Sequence, residues 1–333
     1  MFFKHTTPAD APLMASAVVS TCRQNGWFND LQPQFLKTVF HNLMSYDCDF
    51  QTLEPISVEK FAVAMPELQK RNEVLDLMLA TELLCSSISP EISDAINLWA
   101  QKLGIENNGL ALVRDLSKKS IIRAQQDFYR SNYFYDKDLA SPDFAHLDEK
   151  YGLSATMMTV EVSDEVAKRY ENLQHYTAGS LGRGLWDFYK QRNFTFPGVI
   201  GGINEAVAHH DWIHVLADYD SDGIGEIEVA AFSTMATESE SAVMNFLGVL
   251  SIFQGGLLKT IVAGAPHLGH DIEVANGPER IAFALQRGKE VTIDLVLGIN
   301  YFDYAHEPLE ELRKRWNIPS KQASTPPSRN VAV

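Results

Sequence analysis

Cysteine is scarce in this chain. Its three cysteines are Cys22, Cys48 and Cys85. No two stand at the spacing of a metal clip, and an odd count leaves no disulfide framework; they read as idle thiols in a reducing compartment. Positive charge is also short. Lys and Arg number 28 against 43 Asp and Glu, a formal net charge of −15. That argues against a nucleic-acid partner, whose phosphates are met by Lys and Arg, and leaves room for a membrane surface reached by apolar contact. The opening Met1-Phe2-Phe3-Lys4-His5 is not followed by the apolar run of a signal peptide. A cytoplasmic location is therefore expected, with peripheral contact to a membrane. Long apolar runs are nearly absent. The 18 residues 241–258 carry no charge, but Ser241, Asn245, Gly248, Ser251, Gln254, Gly255 and Gly256 dilute them below a spanning helix. This segment reads as a buried core helix, or as a helix lining an apolar tunnel. No internal repeat is found.

What is present is the composition of a globular protein. The chain has 333 residues, 45% hydrophobic and 21% charged, enough to bury a sizeable core and to favour two domains. The first third reads as successive helices. Asp30 to Ser45 places Leu31, Phe35, Leu36, Val39, Phe40 and Leu43 at helical spacing. Ser57 opens another helix, and Glu73 to Leu84 continues the pattern. Ser89-Pro90-Glu91 is a start signal for a helix that stops at Gly104. Ser117 to Phe134 reads as one further helix. Periodicity fails between about Tyr135 and Thr159. Helices are then expected near Gly182–Arg192, up to the His-rich motif at 209–214, from Glu226, over Pro278–Gly288 and over Pro308–Arg315. The fold class is all-α: a helical domain at 1–140, a linker at 141–159, a second helical domain at 160–319, and a Ser/Pro/Gln-rich disordered tail at 320–333.

The chemistry concentrates at His209-His210-Asp211-Trp212-Ile213-His214. A helix turns about 100° per residue, so His210, Asp211 and His214 share one face while Trp212 and Ile213 point elsewhere. Glu226, past a glycine-containing loop, would be carried back by an antiparallel helix. Two imidazoles and two carboxylates suit zinc, manganese or iron rather than thiolate-preferring ions. A monodentate carboxylate would leave a position for water or substrate.

Other readings use the same stretch. Glu226 could serve the helix dipole alone. Asp218-Tyr219-Asp220-Ser221-Asp222-Gly223 matches the first half of a calcium-binding EF-hand loop, but its positions eight and twelve are Gly225 and Val229. The pair His210-Asp211 also fits HD-type phosphohydrolases, which need a further His and Asp; His175 and Asp271 or Asp294 are the candidates. A second cluster, His267-Leu268-Gly269-His270-Asp271, reads as an exposed polar loop.

The string His210-Asp211-x-x-His214-x11-Glu226 resembles the HDxxH-x11-E signature of the fourth protein of the coenzyme Q (ubiquinone) biosynthesis series. The resemblance extends to Ser180-Leu181-Gly182 with Trp186-Asp187-Phe188-Tyr189, to Gly225-Glu226-Ile227 with Ala230-Ala231-Phe232, and to Glu307–Arg313 with Ile318-Pro319. It covers about residues 160–319. It implies a helical domain holding a divalent metal, zinc first, on those four residues. It also implies a tunnel for a prenylated quinone or its precursor, for which Phe246, Leu250 and Phe253 are the candidate lining residues.

The activity implied is removal of the C1 carboxyl of a prenylated 4-hydroxybenzoate-type precursor with hydroxylation at that carbon. The alternative is a non-catalytic prenyl-lipid scaffold that organises other quinone-biosynthesis enzymes. A homo-oligomer is expected. The chain departs from the family in lacking Arg or Lys across Ile203–His209, so a carboxylate-bearing head group loses a natural partner. The stretch Leu83–Glu91 with Trp99–Ile105 resembles the tellurite-resistance TerB-like helical domain. There Cys85-Ser86-Ser87 replaces an Ala-Asp-Gly, and the N-terminal part reads as an interaction module.

Overall fold

The computed structural model describes residues 2–23, 26–136, 144–152, 157–260 and 267–321. Among them the chain forms fifteen α-helices and no strand, as the periodicity predicts. The helices are α1 (Ala11–Cys22), α2 (Leu31–Met44), α3 (Val58–Ala64), α4 (Leu68–Glu82), α5 (Pro90–Leu103), α6 (Asn108–Ser117) and α7 (Ile121–Arg130). After a 3-10 turn, Tyr133–Tyr135, come α8 (Phe144–Tyr151), α9 (Asp164–Glu171), α10 (Leu181–Arg192), α11 (Glu205–Ala217) and α12 (Gly223–Met235). The last are α13 (Ser241–Phe253), α14 (Gly277–Lys289) and α15 (Leu309–Arg315).

Local signals set the ends. The Ser89 hydroxyl accepts from Ile92 N at 3.4 Å and Pro90 opens α5, while Gly104 closes it at φ +67°, a conformation that costs glycine nothing. Where such signals are missing, the sequence misleads. The expected single helix Ser117–Phe134 is broken, because Lys119 adopts φ +57° and Ser120 N donates back to Asp115 O at 2.8 Å. No glycine or proline marks that stop. The expected linker 141–159 contains α8, docked by Tyr135 to Asp148 at 2.6 Å; its residues 141–143 and 153–156 lie outside the described residues. Of the expected tail, Ser320 and Lys321 are described, with Lys321 Nζ 3.7 Å from Glu228; 322–333 lie outside.

Helix α12 is the hub of the second stretch. It packs on α11, α13 and α14, and α14 in turn packs on α2. The described residues of 1–140 and 160–319, read as two domains, share one apolar cluster. Helix α13 is the joint. Phe246 meets Phe2 with ring centroids 5.6 Å apart, Asn245 accepts from Asn132 at 3.0 Å, and Gln254 donates to Leu84 O at 3.3 Å. A Cβ on Gly248 would lie 2.0 Å from the Phe128 ring, so glycine is what lets α7 approach. Periodicity marks the apolar face of each helix but not the partner it meets, which is why this shared core was not legible. Among the described residues no helix is long and apolar enough to cross a membrane.

Candidate metal centre

Helices α10, α11 and α12 build the site, each started by a side-chain cap. Ser180 accepts from Arg183 N at 3.3 Å, Asn204 from Ala206 N at 2.8 Å and Asp222 from Gly225 N at 2.9 Å. The turn between α11 and α12 is tight. Asp218 takes φ +61°, and a Cβ on Gly225 would lie 2.0 Å from Asp220 O. This reversal returns Glu226, in the first turn of α12, to the His-Asp face of α11.

The three α11 residues offer ligand atoms that all lie within 4.8 Å of one another. Glu226 reaches across to both imidazoles, with His214 Nε2 at 3.4 Å from Oε1 and His210 Nε2 at 3.7 Å from Oε2. Asp211 Oδ1 is 3.4 Å from His210 Nε2. Both rings are pinned from behind. His210 Nδ1–H donates to Val207 O at 2.5 Å and His214 Nδ1–H to Tyr219 O at 3.2 Å. A carbonyl only accepts, so Nδ1 carries a proton in each ring and Nε2 is the nitrogen that faces the site, the orientation that metal-binding histidines require. Tyr189, from α10, donates to Asp211 Oδ2 and leaves Oδ1 for the site.

The set fits a divalent ion on one observation above all: His214 Nε2 is fully buried and has no hydrogen-bond partner. A buried polar atom left unpaired is costly, and an ion would relieve it. Two carboxylates also neutralise a divalent charge. In the protein alone the same groups lean on each other. Burial lowers His210, but Asp211 and Glu226 outweigh it and lift the imidazole to about 9. Burial raises Glu226, but His214 and His210 outweigh it and hold the carboxylate well below its ordinary range. At Asp211 burial prevails over His210, His214 and Tyr189, and the group is raised.

The neighbouring His209 faces the other way. It packs on Tyr301 with ring centroids 4.9 Å apart, and burial lowers it to about 4. The alternative constellations do not assemble at the centre. Asp220 and Ser221 pair with Arg192, and Asp222 caps α12, so the EF-hand-like loop spends these groups on the helix turn. Asp294 accepts from Thr237 and from three backbone amides, and His175 is exposed. In the loop read as exposed and polar, Leu268 and His270 are exposed, while His267 and Asp271 pair at 3.4 Å and are partly buried.

A cavity of about 510 Å³ opens onto His210, Asp211 and Glu226, within the range of small-molecule sites. Its walls include Phe194, Ile203, Val207, Val229 and, from α13, Asn245, Val249, Ile252 and Phe253. Of the three expected tunnel residues, Phe253 lines it. Phe246 and Leu250 do not: both are fully buried, on a face turned about a quarter-turn away. An uncharged helix that is apolar nearly all round shows no polar edge from which to choose its cavity face. Sequence reasoning also missed Tyr133 and Phe134, which reach the cavity from the first stretch. Burial and the negative charges of Asp211 and Glu226 raise the Tyr133 phenol above its ordinary value. No Lys or Arg lines the cavity among the described residues. No family model matches the chain, and no curated protein matches it either.

Proposed function

We propose that the chain is a metal-dependent protein that binds a prenylated aromatic molecule of the quinone-precursor class, with the aromatic head at the metal centre and the tail in the adjoining cavity. The observation that carries this reading is the meeting of a convergent His210–Asp211–His214–Glu226 set, two of its members buried and two half-buried, with a cavity whose wall is mostly apolar. Hydrocarbon gains roughly 0.8 kcal/mol per buried methylene, so a long tail is held without any charged contact. A divalent ion on the four ligands, zinc by ligand type, would supply Lewis-acid stabilisation of charge on a phenolate or carboxylate oxygen. The chain's own residues orient the ligands around it: Tyr189 fixes Asp211, and the Val207 and Tyr219 carbonyls fix the two imidazoles.

Replacement of the C1 carboxyl by a hydroxyl, which the resemblance implies, is a two-electron oxidation and calls for an oxidant from outside these residues. One observation favours the scaffold reading. Apart from the ligands, the only titratable side chains lining the described cavity are Tyr133 and Tyr189, neither of which is a base at neutral pH. The test has two arms. Mass spectrometry and elemental analysis of protein purified without chelator should find about one metal ion per chain and a co-purifying prenylated aromatic; clean protein without metal sinks the reading. Release of labelled carbon dioxide from a carboxyl-labelled prenylated 4-hydroxybenzoate, with an oxidant present, separates enzyme from scaffold.

A further inference from the structure

The cavity has a polar feature that comes from the first stretch of the chain. The 3-10 turn Tyr133–Tyr135 carries the Tyr133 ring into the cavity that holds His210, Asp211 and Glu226. Tyr133 is 2% exposed; its hydroxyl makes no hydrogen bond among the described residues and is not one of the fully enclosed unpaired atoms, so it opens on the cavity its side chain lines. The turn is tied to α13, where Asn132 donates to Asn245 at 3.0 Å, and within it the Tyr133 ring meets Phe134 edge-on with centroids 4.6 Å apart. A buried phenol usually finds a partner. Here the remaining one is whatever occupies the cavity. The lack of Lys or Arg in the described wall sharpens the need. An oxygen that the ion does not take must be met by a neutral donor.

We propose that Tyr133 is a specificity-determining residue of the metal centre, donating its phenol hydrogen to the second oxygen of an aromatic acid whose first oxygen faces the four ligands. The inference rests on the ligand class argued above and deepens it. It also makes the centre a joint product of both stretches, since residues 160–319 carry the ligands but not this donor.

The test uses the full chain loaded with cobalt(II), whose visible absorption reports its ligands, and 4-octylbenzoate as the probe. Tyr133→Phe removes one hydroxyl that makes no hydrogen bond among the described residues, so melting temperature and cobalt stoichiometry should match wild type. Probe affinity should fall about tenfold or more, the size expected of a hydrogen bond to a charged group. Equal probe affinity in the two cobalt-loaded proteins overturns the role of Tyr133 and leaves the metal centre standing. A lowered melting temperature with unchanged probe affinity makes the hydroxyl structural and overturns it too. Wild type that takes cobalt but not the probe removes the aromatic-acid reading, and wild type that takes no cobalt removes the metal centre; the inference falls in both cases.

Discussion

Two regions of this molecule bury acids, and they treat them differently. On α4, Glu73 accepts from the backbone N–H groups of Lys4, His5 and Thr6 and from the Thr6 hydroxyl at 2.7–2.9 Å, Asp76 accepts from Asn107 at 2.7 Å, and Glu82 accepts from Ser89 N at 3.0 Å. These acids tie chain segments together. On α11 and α12, Asp211 and Glu226 instead face imidazoles whose other nitrogens are already held by carbonyls. Burial of charge alone therefore does not mark a site. What marks it is a set of imidazole and carboxylate ligand atoms converging on one point, with His214 Nε2 buried and without a hydrogen bond.

The comparison predicts opposite outcomes for changes in the two regions. His214→Ala removes the candidate ligand whose Nε2 is buried without a hydrogen bond, and metal content by elemental analysis should drop from about one ion per chain to near zero. A variant that keeps its metal would reduce the α11 set to a hydrogen-bonded cluster like that of α4. Glu73→Ala should do the reverse. It strands three backbone donors and should cost more than about 3 kcal/mol in chemical denaturation, with metal content unchanged in the folded fraction.

A third change tests the α4 region by pH. Burial raises Glu82 to about 7 from an ordinary value of 4.5, and its Oε2 has no partner. The folded state then holds the proton more tightly than the unfolded chain, so this group's stabilisation is full below about 4.5 and is lost as pH rises through about 7. Glu82→Gln should stabilise the protein at pH 8 by about 1–3 kcal/mol and have little effect at pH 4. Melting curves at the two values check it; a gain equal at both would mean that Glu82 is not protonated in the fold.

Much of this was legible beforehand because its causes are local. Helical periodicity and caps such as Ser89 and Gly104 act within a turn or two of the chain. The placing of His210, Asp211 and His214 on one face follows from the 3.6-residue period, and the reversal that returns Glu226 needs only a short turn. Other features depend on contacts distant in sequence. The break at Lys119 carries no marker residue. The cavity side of α13 is decided by Phe2 and Phe128 occupying its other sides, and Tyr133 enters the centre because Asn132 meets Asn245 across 113 residues. The sequence by itself determined an all-helical chain and four potential ligands in register, since backbone geometry alone dictates both. Only the tertiary structure decided that the two stretches share a core, which side of α13 lines the cavity, and that a tyrosine from the first stretch lines the same cavity as the candidate ligands, because packing partners are chosen by shape across the whole fold.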